Sequence, residues 1–313
     1  MNKNGLIVIS GPTAAGKTAV AVETAKKVNG VIVSADSMQI YKYMSIGTAK
    51  PTEQELDGIE CRLIDFVEPD GEYNVFKFKE DAEREIDDIL SSGRVPILCG
   101  GTGLYLSVLT SNTTLSSESK DEELRCELKE KAQRLGNEEL HRQLREVDNI
   151  SADKIHPNDT KRLIRALEIY ITTGKPQSQW DAESAKEEGK YPLFRVLITC
   201  NDREILYQRI NRRVDEMMSQ GLLEEARYIY DNYPHEKIAA IGYPELFKYF
   251  DGNASLEDGV SYIKQYSRNY AKRQLTWFRR GEYEKIYFTD ETPVSIIADD
   301  LAAGYAVFQN GLL

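Results

Sequence analysis

Cysteine and histidine are scarce in this sequence, and neither forms a pattern typical of a metal site. Four cysteines and three histidines occur in 313 residues, and no C-x-x-C pair is present. Their positions are widely scattered: Cys61, Cys99, Cys126, Cys200, His141, His156 and His235. A zinc site and a disulfide framework are therefore not expected.

Long hydrophobic runs are also missing. No apolar stretch reaches the length that crosses a bilayer, and the N-terminal segment MNKNGLIVIS has an apolar part too short for a signal peptide. With 41% hydrophobic residues, the chain nevertheless has enough apolar material for one large domain or two moderate ones. We therefore predict a cytoplasmic protein without a membrane partner.

The overall charge is acidic, with a formal net charge of −11. Alone, this balance argues mildly against nucleic-acid binding, because phosphate contacts need lysine and arginine. Residues 264–280, KQYSRNYAKRQLTWFRR, contain no Asp or Glu but carry six cations: Lys264, Arg268, Lys272, Arg273, Arg279 and Arg280. Four aromatic residues recur among them at helical spacing: Tyr266, Tyr270, Trp277 and Phe278. We expect a helix that buries most of these aromatics and binds RNA phosphates with its basic face.

Strand and helix patterns alternate in the N-terminal third of the chain. Their order is strand 6–10, helix 17–28, strand 31–36, a charged helix ending at Gly93, and strand 95–101. Apolar strands joined by helical crossovers indicate a parallel sheet covered on both faces. The predicted fold class is therefore α/β, with a mostly parallel sheet flanked by helices around a phosphate-binding loop.

A polar linker, SNTTLSSESK at 111–120, precedes a region up to about residue 190 in which no strand is evident. One helix there begins at Asn158 or Asp159, ends at Gly174, and carries an apolar stripe of Leu163, Ala166, Leu167 and Ile171. Strand patterns return at 194–200 and 284–290. We therefore predict a core domain of residues 1–115 and 191–313, interrupted by an all-helical insertion domain at 116–190.

The segment GPTAAGKT at 11–18 matches the phosphate-loop pattern G-x-x-x-x-G-K-[ST]. Its glycines let backbone N–H groups turn inward, and the following helix adds its positive N-terminal end. Lys17 would reach terminal phosphate oxygens, and the Thr18 hydroxyl would hold Mg²⁺. The predicted phosphate-binding residues are Gly11, Pro12, Thr13, Ala14, Ala15, Gly16, Lys17 and Thr18. The pattern alone leaves the ligand open among ATP, GTP and another diphosphate.

Two further loops follow strands at the same predicted edge of the sheet. Asp36 ends the second strand, where a carboxylate can hold Mg²⁺, act as a general base, or cap a turn. The third strand ends in CGGTG, where Thr102 offers a hydroxyl beside the phosphates. This turn has no carboxylate or glutamine, which weakens the hypothesis of a phosphate-loop hydrolase.

Together, GPTAAGKT, SADSMQIYKYMSIGTAKP and CGGTGLYL resemble the tRNA dimethylallyltransferases, also called tRNA isopentenyltransferases. Further segments fit the same family: IHPNDTKRLIRALEIY, TTGKPQS, RINRRVDEMMSQGLLEEA, AIGYPEL and YAKRQLTWFRR. The resemblance extends from about residue 6 to 288 and is closest to the short bacterial form, which has no zinc-finger extension.

The resemblance implies transfer of the dimethylallyl group of dimethylallyl diphosphate to N6 of adenosine 37 in tRNA, with release of pyrophosphate. By the same resemblance, Asp36 is the general base, while Thr102, Arg213, Lys17 and Mg²⁺ act on the leaving group. Base flipping is implied because N6 must reach an allylic carbon in a closed channel. The residues implied to line the pocket of the flipped base are Ser37, Met38 and Gln39.

The resemblance also implies tRNA contacts elsewhere in the chain. The implied residues are Arg125, then Lys161, Arg162, Leu163, Ile164 and Arg165, and finally Ala240, Ile241, Gly242, Tyr243, Pro244 and Glu245. Pro244 departs from the pattern, because the family has a lysine or arginine after the tyrosine. A monomer is expected.

Three other functions stay open on the residues alone. The main alternative is a phosphate-loop small-molecule kinase, in which Arg212 and Arg213 would belong to a lid. An adenylate isopentenyltransferase acting on free AMP, ADP or ATP would not need the helical insertion. A non-catalytic RNA-binding module would not need the phosphate loop beside Asp36 and Thr102. Productive ATP binding at the loop also stays open.

Overall fold

The computed structural model describes residues 5–110, 121–184 and 189–311. The chain forms two compact units, one of residues 1–106 and 191–313 and the other of residues 107–190. The first boundary therefore lies inside a helix, before the predicted linker. That linker, at 111–120, falls outside the described residues.

The first unit contains a six-stranded sheet in the order β3-β2-β4-β1-β5-β6. The strands are β1 Leu6–Ser10, β2 Gly30–Ser34, β3 Cys61–Arg62, β4 Val95–Gly100, β5 Leu193–Thr199 and β6 Lys285–Phe288. All neighbouring pairs run parallel, and Ile7 on β1 lies opposite Ile97 on β4. The predicted fold class is confirmed. Only β3 was not predicted, because two residues are too short to show a strand pattern.

Helices cover the sheet, so its apolar strands are buried on both faces. The helices after the strands are α1 Lys17–Val28, α2 Glu53–Leu56, α3 Val75–Ser91 and α4 Gly103–Thr110. The later ones are α10 Arg203–Ser219, α11 Leu222–Asn232, α12 Tyr243–Phe250, α13 Leu256–Phe278 and α14 Val294–Gly311. A short 3₁₀ helix spans His235–Lys237. Val20, Ile97 and Leu301 belong to one core cluster, which joins α1 and α14 to the sheet.

The second unit is helical throughout its described part. Its helices are α5 Glu122–Leu135, α6 Asn137–Val147, α7 Asn149–Lys154, α8 Thr160–Thr173 and α9 Gln177–Ser184. As predicted, Asp159 caps α8 by accepting a hydrogen bond from the Arg162 N–H at 3.2 Å, and Gly174 ends it in the left-handed region at φ 70°. The prediction for Ile171 is wrong: its side chain is 54% exposed, because the last turn of α8 faces solvent.

In residues 5–110, 121–184 and 189–311, no helix combines the length and the apolar composition needed to span a bilayer.

Candidate active site

The predicted phosphate loop connects β1 to α1 and turns sharply at both ends. A Cβ on Gly11 would lie 2.0 Å from the Ile198 carbonyl oxygen, so only glycine fits there. Gly16 caps α1 in the left-handed region at φ 85°, which glycine adopts without strain. The first helical residue is Lys17, whose Nζ donates to the Pro12 carbonyl at 2.8 Å. The loop thus presents a lysine and the N-terminus of a twelve-residue helix together.

Side chains distant in sequence brace this loop. The Thr13 N–H donates to Gln274 Oε1 at 2.9 Å, and the Thr289 hydroxyl donates to the Ala15 carbonyl at 2.9 Å. Arg209 in turn donates to the Thr289 hydroxyl at 2.7 Å. Sequence reasoning missed these residues, because pairing across 261 positions leaves no local pattern. Gln274 lies within residues 264–280, the segment whose basic residues predict RNA binding.

Arg213 on α10 reaches the same loop. Its guanidinium donates to the Thr13 hydroxyl at 3.3 Å and to the Ala49 carbonyl at 3.5 Å. Burial lowers the pKa of Arg213 and of Lys17, although the charge of Asp36 opposes that effect at both. Within the described residues, neither cation has a carboxylate oxygen within 4 Å. The loop therefore holds two enclosed positive charges without an ion-pair partner.

The loops that follow β2 and β4 are in direct contact. A Cβ on Gly100 would lie 2.2 Å from the Ala35 carbonyl oxygen, so this approach requires glycine. The Thr102 hydroxyl accepts from the Ser37 N–H at 3.0 Å, and Asp36 Oδ1 accepts from the Met38 N–H at 3.0 Å. Asp36 and Thr102 are thus on adjoining loops, as predicted from the common strand edge.

Tyr270 on α13 adds a third polar group beside these loops. Burial first, and the charge of Asp36 second, raise the pKa of Tyr270 to about 12. Hydrogen bonding to Thr102 and Gln274 opposes the shift without cancelling it. The tyrosine is therefore a neutral hydroxyl near the carboxylate at neutral pH.

A cavity of about 330 Å³ opens between these elements. Met38 lines the cavity beside a polar wall that includes Lys17, Thr18, Asp36, Ser37, Gln39, Arg213, Arg273 and Gln274. A second part of the wall is apolar: Ala21, Ile32, Leu56, Cys61 and Cys99. Thr102 is not among the lining residues but contacts Ser37, which is. The cavity therefore combines a cationic phosphate loop, a carboxylate and an apolar recess.

Gln39 is already engaged within the loop that follows Asp36. Its Oε1 accepts from the Ser34 hydroxyl at 3.2 Å, and its Nε2 donates to the Ala49 carbonyl at 3.0 Å. Farther along this loop, Glu225 accepts from the N–H groups of Ser45, Ile46 and Gly47 at 2.8, 2.9 and 2.9 Å. The loop is therefore held in one conformation by a side chain on α11.

Residues 240–245 lie partly on the cavity wall and partly in the protein core. Ala240, Ile241 and Gly242 line the cavity. Tyr243 is 0% exposed, packs against Gly47 and donates to Glu225 at 2.7 Å. Pro244 lies in the first turn of α12, where a missing N–H is tolerated, and Glu245 accepts from the Gly242 N–H at 2.7 Å. The tRNA roles of these residues stay predictions.

The implied tRNA residues of the second unit differ in exposure. Arg125 and Arg165 donate to the buried Glu168 at 2.8 and 2.9 Å. Lys161 and Arg162 are exposed, and Arg162 lies 3.4 Å from Asp159. Leu163 and Ile164 belong to the core of the unit. Their predicted tRNA contacts also stay predictions.

The expectation that most of the four aromatics in residues 264–280 are core residues is wrong, because two of them are exposed. Tyr266 is 37% and Trp277 47% exposed, whereas Phe278 is buried. Trp277 lies against Gly103, where the missing side chain leaves room for one edge of the indole. Tyr266, Tyr270, Arg273 and Trp277 consequently form a stripe at i, i+3 or i+4 spacing along the helix, and Arg280 lies two residues beyond its last residue.

Comparisons with known proteins fit this geometry. The model of the family described as IPP transferase matches residues 39–281. The chain belongs to the IPP transferase family. The tRNA dimethylallyltransferase of Acetivibrio thermocellus is 48% identical over 291 residues, covering 92% of this chain and 92% of that protein. That of a Thermoanaerobacter species is 43% identical over 290 residues, covering 91% and 92%.

Solved structures of the family superpose over nearly the whole chain. The tRNA isopentenylpyrophosphate transferase of Bacillus halodurans gives a TM-score of 0.73 at 38% identity, covering 99% of this chain and 98% of that one. A eukaryotic dimethylallyltransferase captured acting on tRNA gives 0.79 at 30% identity, covering 96% and 77%. The family resemblance inferred from the motifs is confirmed, and the kinase alternative is not favoured.

Proposed function

We propose that this chain transfers the dimethylallyl group of dimethylallyl diphosphate to N6 of adenosine 37 in tRNA and releases pyrophosphate. The observation that carries the proposal is the cavity in which the two unpaired cations, Lys17 and Arg213, share a wall with the carboxylate of Asp36. Diphosphate departure needs positive charge, and attack by an amine needs a proton acceptor. Family membership supplies the substrate class.

The donor fits the two chemically different parts of the cavity. Its diphosphate would lie on the phosphate loop, where backbone N–H groups, Lys17 and Arg213 oppose the growing negative charge. Its five-carbon chain would enter the apolar recess bounded by Ala21, Leu56 and Cys61. Removal of these carbons from water favours binding by about 25 cal/mol per Å² of buried apolar surface.

A magnesium ion fits the Thr18 side of the cavity. Within the described residues, no cluster of three His, Cys, Asp or Glu side chains is able to cage a metal. Mg²⁺ does not need such a cage, because it keeps several waters and binds through substrate phosphates plus one or two protein oxygens. The Thr18 hydroxyl on the cavity wall is one such oxygen. When bound, the ion would neutralise charge on the diphosphate.

Asp36 would act as the general base in the transfer. The adenine N6 forms a bond to C1 of the donor while the bond from C1 to the diphosphate oxygen breaks, and the N6 proton passes to the carboxylate. Asp36 Oδ1 accepts from the Met38 N–H at 3.0 Å, which fixes the orientation of the carboxylate. Thr102 would hydrogen-bond the leaving diphosphate from the adjoining loop.

The stripe on α13 supports RNA as the acceptor. Tyr270 and Arg273 line the cavity, Trp277 continues the same face of the helix outside it, and Arg280 follows in the turn after the helix. Exposed aromatics stack unpaired bases, and arginines bind phosphates, so this face suits the nucleotides beside a flipped base. The exposed cations Lys161 and Arg162 are further proposed phosphate contacts. We also propose that the protein acts as a cytoplasmic monomer.

One assay tests the proposal against its alternatives. The protein is incubated with labelled dimethylallyl diphosphate, Mg²⁺ and either unmodified tRNA or AMP. We expect label in tRNA, a loss of about 10²–10⁴-fold in Asp36→Asn with pyrophosphate binding retained, and no loss in Asp70→Asn. Asp70 is a matched control because it is exposed and outside the cavity. Label in AMP alone, or phosphate transfer from ATP without prenyl transfer, contradicts the proposal.

A further inference from the structure

The side-chain amide of Gln274 connects two loops of the cavity wall. Its side chain is on α13 and only 5% exposed. Oε1 accepts from the Thr13 N–H in the phosphate loop at 2.9 Å, and Nε2 donates to the Gly101 carbonyl in the turn after β4 at 2.9 Å. The oxygen and the nitrogen of one side-chain amide therefore bond to the backbone of two different loops, one after β1 and the other after β4.

The requirement at this position is a donor and an acceptor at a fixed spacing. An amide supplies both, in the one orientation that matches its two partners here. Methionine has a similar length but neither function. A glutamate carboxylate accepts from the Thr13 N–H, yet it repels the Gly101 carbonyl unless it carries a proton. The geometry is thus specific to glutamine rather than to a long buried side chain.

The two loops that Gln274 connects are also in contact with each other. A Cβ on Gly101 would lie 2.4 Å from Gln274 Nε2 and 3.3 Å from the Gly11 carbonyl oxygen. The residue after Gly101 is Thr102, so the bond from Gln274 to the Gly101 carbonyl also holds the backbone that carries Thr102. One helix therefore sets the position of Thr13 on one loop and of Thr102 on the other.

We propose that Gln274 is a positioning residue that fixes the separation between the phosphate loop and Thr102. The inference rests on the proposed function, in which the diphosphate lies on one loop and the other loop contacts the same leaving group. Loss of the amide frees the Gly101 carbonyl to turn its negative end toward the diphosphate. A displacement of about 1 Å at a reacting centre commonly lowers a rate by about 10²-fold.

The test compares Gln274→Met and Gln274→Glu with Gln265→Met, an exposed glutamine on the same helix. Prenyl transfer to tRNA is measured at steady state. Functional sites are counted by pyrophosphate binding, so that misfolded protein does not lower the kcat per functional site. We expect kcat per functional site to fall at least about tenfold in Gln274→Met, with a smaller change in KM for the donor, and no change in Gln265→Met.

A pH profile gives a second readout. In Gln274→Glu the protonated carboxyl can donate to Gly101, so its kcat relative to the unsubstituted protein rises as the pH falls. The charged and titratable groups facing the cavity with it are Lys17, Asp36, Cys61, Cys99, Arg213, Tyr270 and Arg273, and these are common to both proteins. The same ratio is flat with pH in Gln274→Met.

Two results overturn the inference. One is an unchanged kcat per functional site in Gln274→Met, and the other is a pH-independent ratio in Gln274→Glu. If Gln274→Met does not bind pyrophosphate at all, the pH dependence of kcat in Gln274→Glu, relative to the unsubstituted protein, decides whether the inference stands. Failure of the unsubstituted protein to transfer the prenyl group contradicts the proposed function instead, which keeps the two proposals separate.

Discussion

Two sets of enclosed cations, one in each unit of this chain, differ in whether a carboxylate pairs with them. In the helical unit, Arg125 and Arg165 both bond to the buried carboxylate of Glu168. In the sheet-containing unit, Lys17 and Arg213 line a cavity and, among the described residues, have no carboxylate oxygen within 4 Å. Removing a charge from water is costly unless an opposite charge compensates it. The unpaired cations therefore indicate an anionic ligand, whereas the paired ones indicate a structural contact.

The largest effect expected from this comparison is that of Lys17→Met. Transfer should fall about 10²–10³-fold, because a donor to the leaving group is lost. The free energy of unfolding should stay the same or rise, because burial already lowers the pKa of Lys17 and no ion pair is broken. Prenyl transfer and urea unfolding measure the two quantities.

Lys27→Met, on the same helix, is the matched control for Lys17→Met. Lys27 pairs with Asp299 at 2.7 Å at the surface, so neither quantity should change by much. A marked loss of stability in Lys17→Met would show that its charge is structural and would remove the contrast between the units.

Glu168→Leu should lower the stability and leave ligand binding unchanged, which is the reverse of the outcome for Lys17→Met. It removes the carboxylate that bonds to Arg125, Arg165 and the Asp121 N–H, and we expect a loss of about 1–3 kcal/mol in the free energy of unfolding. Pyrophosphate binding should be unchanged, because Glu168 is not among the residues that line the cavity. The exposed pair of Glu146 with Arg142 supplies the control Glu146→Leu, which should cost less than about 0.5 kcal/mol. Equal losses in the two variants would contradict the assignment.

Acid should weaken the same contact. Burial alone would raise the pKa of Glu168, but hydrogen bonds from Arg125 and Arg165 outweigh it and hold the pKa below the ordinary value of 4.5. A lowered folded-state pKa contributes stability that is complete above the unfolded pKa and is lost as the pH falls through the folded one. The difference in unfolding free energy between the unsubstituted protein and Glu168→Gln should therefore shrink between pH 7 and pH 3. A constant difference would show that the carboxylate charge contributes nothing.

The features predicted correctly from the sequence are those encoded in short segments. The glycine turn between β1 and α1, the longer strands of the sheet and the capped helix α8 each depend on residues within one turn or strand, while phosphate binding at that turn stays a prediction. The polar residues of the cavity wall were identified from the sequence where they lie in loops that follow strands. Gln274, Thr289 and Glu225 were missed, because each acts on a backbone group far away in sequence.

Two errors of prediction have one physical cause. Most aromatics of residues 264–280 were expected in the core, but Trp277 is exposed because Gly103 leaves an opening for only part of its ring. Ile171 was expected in the core, although it lies in the exposed last turn of α8. Periodicity identifies the apolar face of a helix, but the neighbouring elements decide how much of that face is covered.

The smallest effect expected concerns a carboxylate that neutral donors satisfy, that of Glu225. Its carboxylate accepts from three successive N–H groups at 45–47 and from Tyr243, so it holds the loop that supplies the Ala49 carbonyl to Gln39 and Arg213. Glu225→Gln places an amide donor among donors, which should cost about 1 kcal/mol and raise the KM for tRNA about three- to tenfold. Pyrophosphate binding should hold, because Lys17 and the phosphate loop are untouched. Tyr243→Phe removes one of the four donors and should give a smaller change in the same direction. A larger effect on pyrophosphate affinity than on the KM for tRNA would mean that Glu225 acts on the phosphate loop through Arg213. Structural charges and ligand-binding charges would then not be separable within the sheet-containing unit.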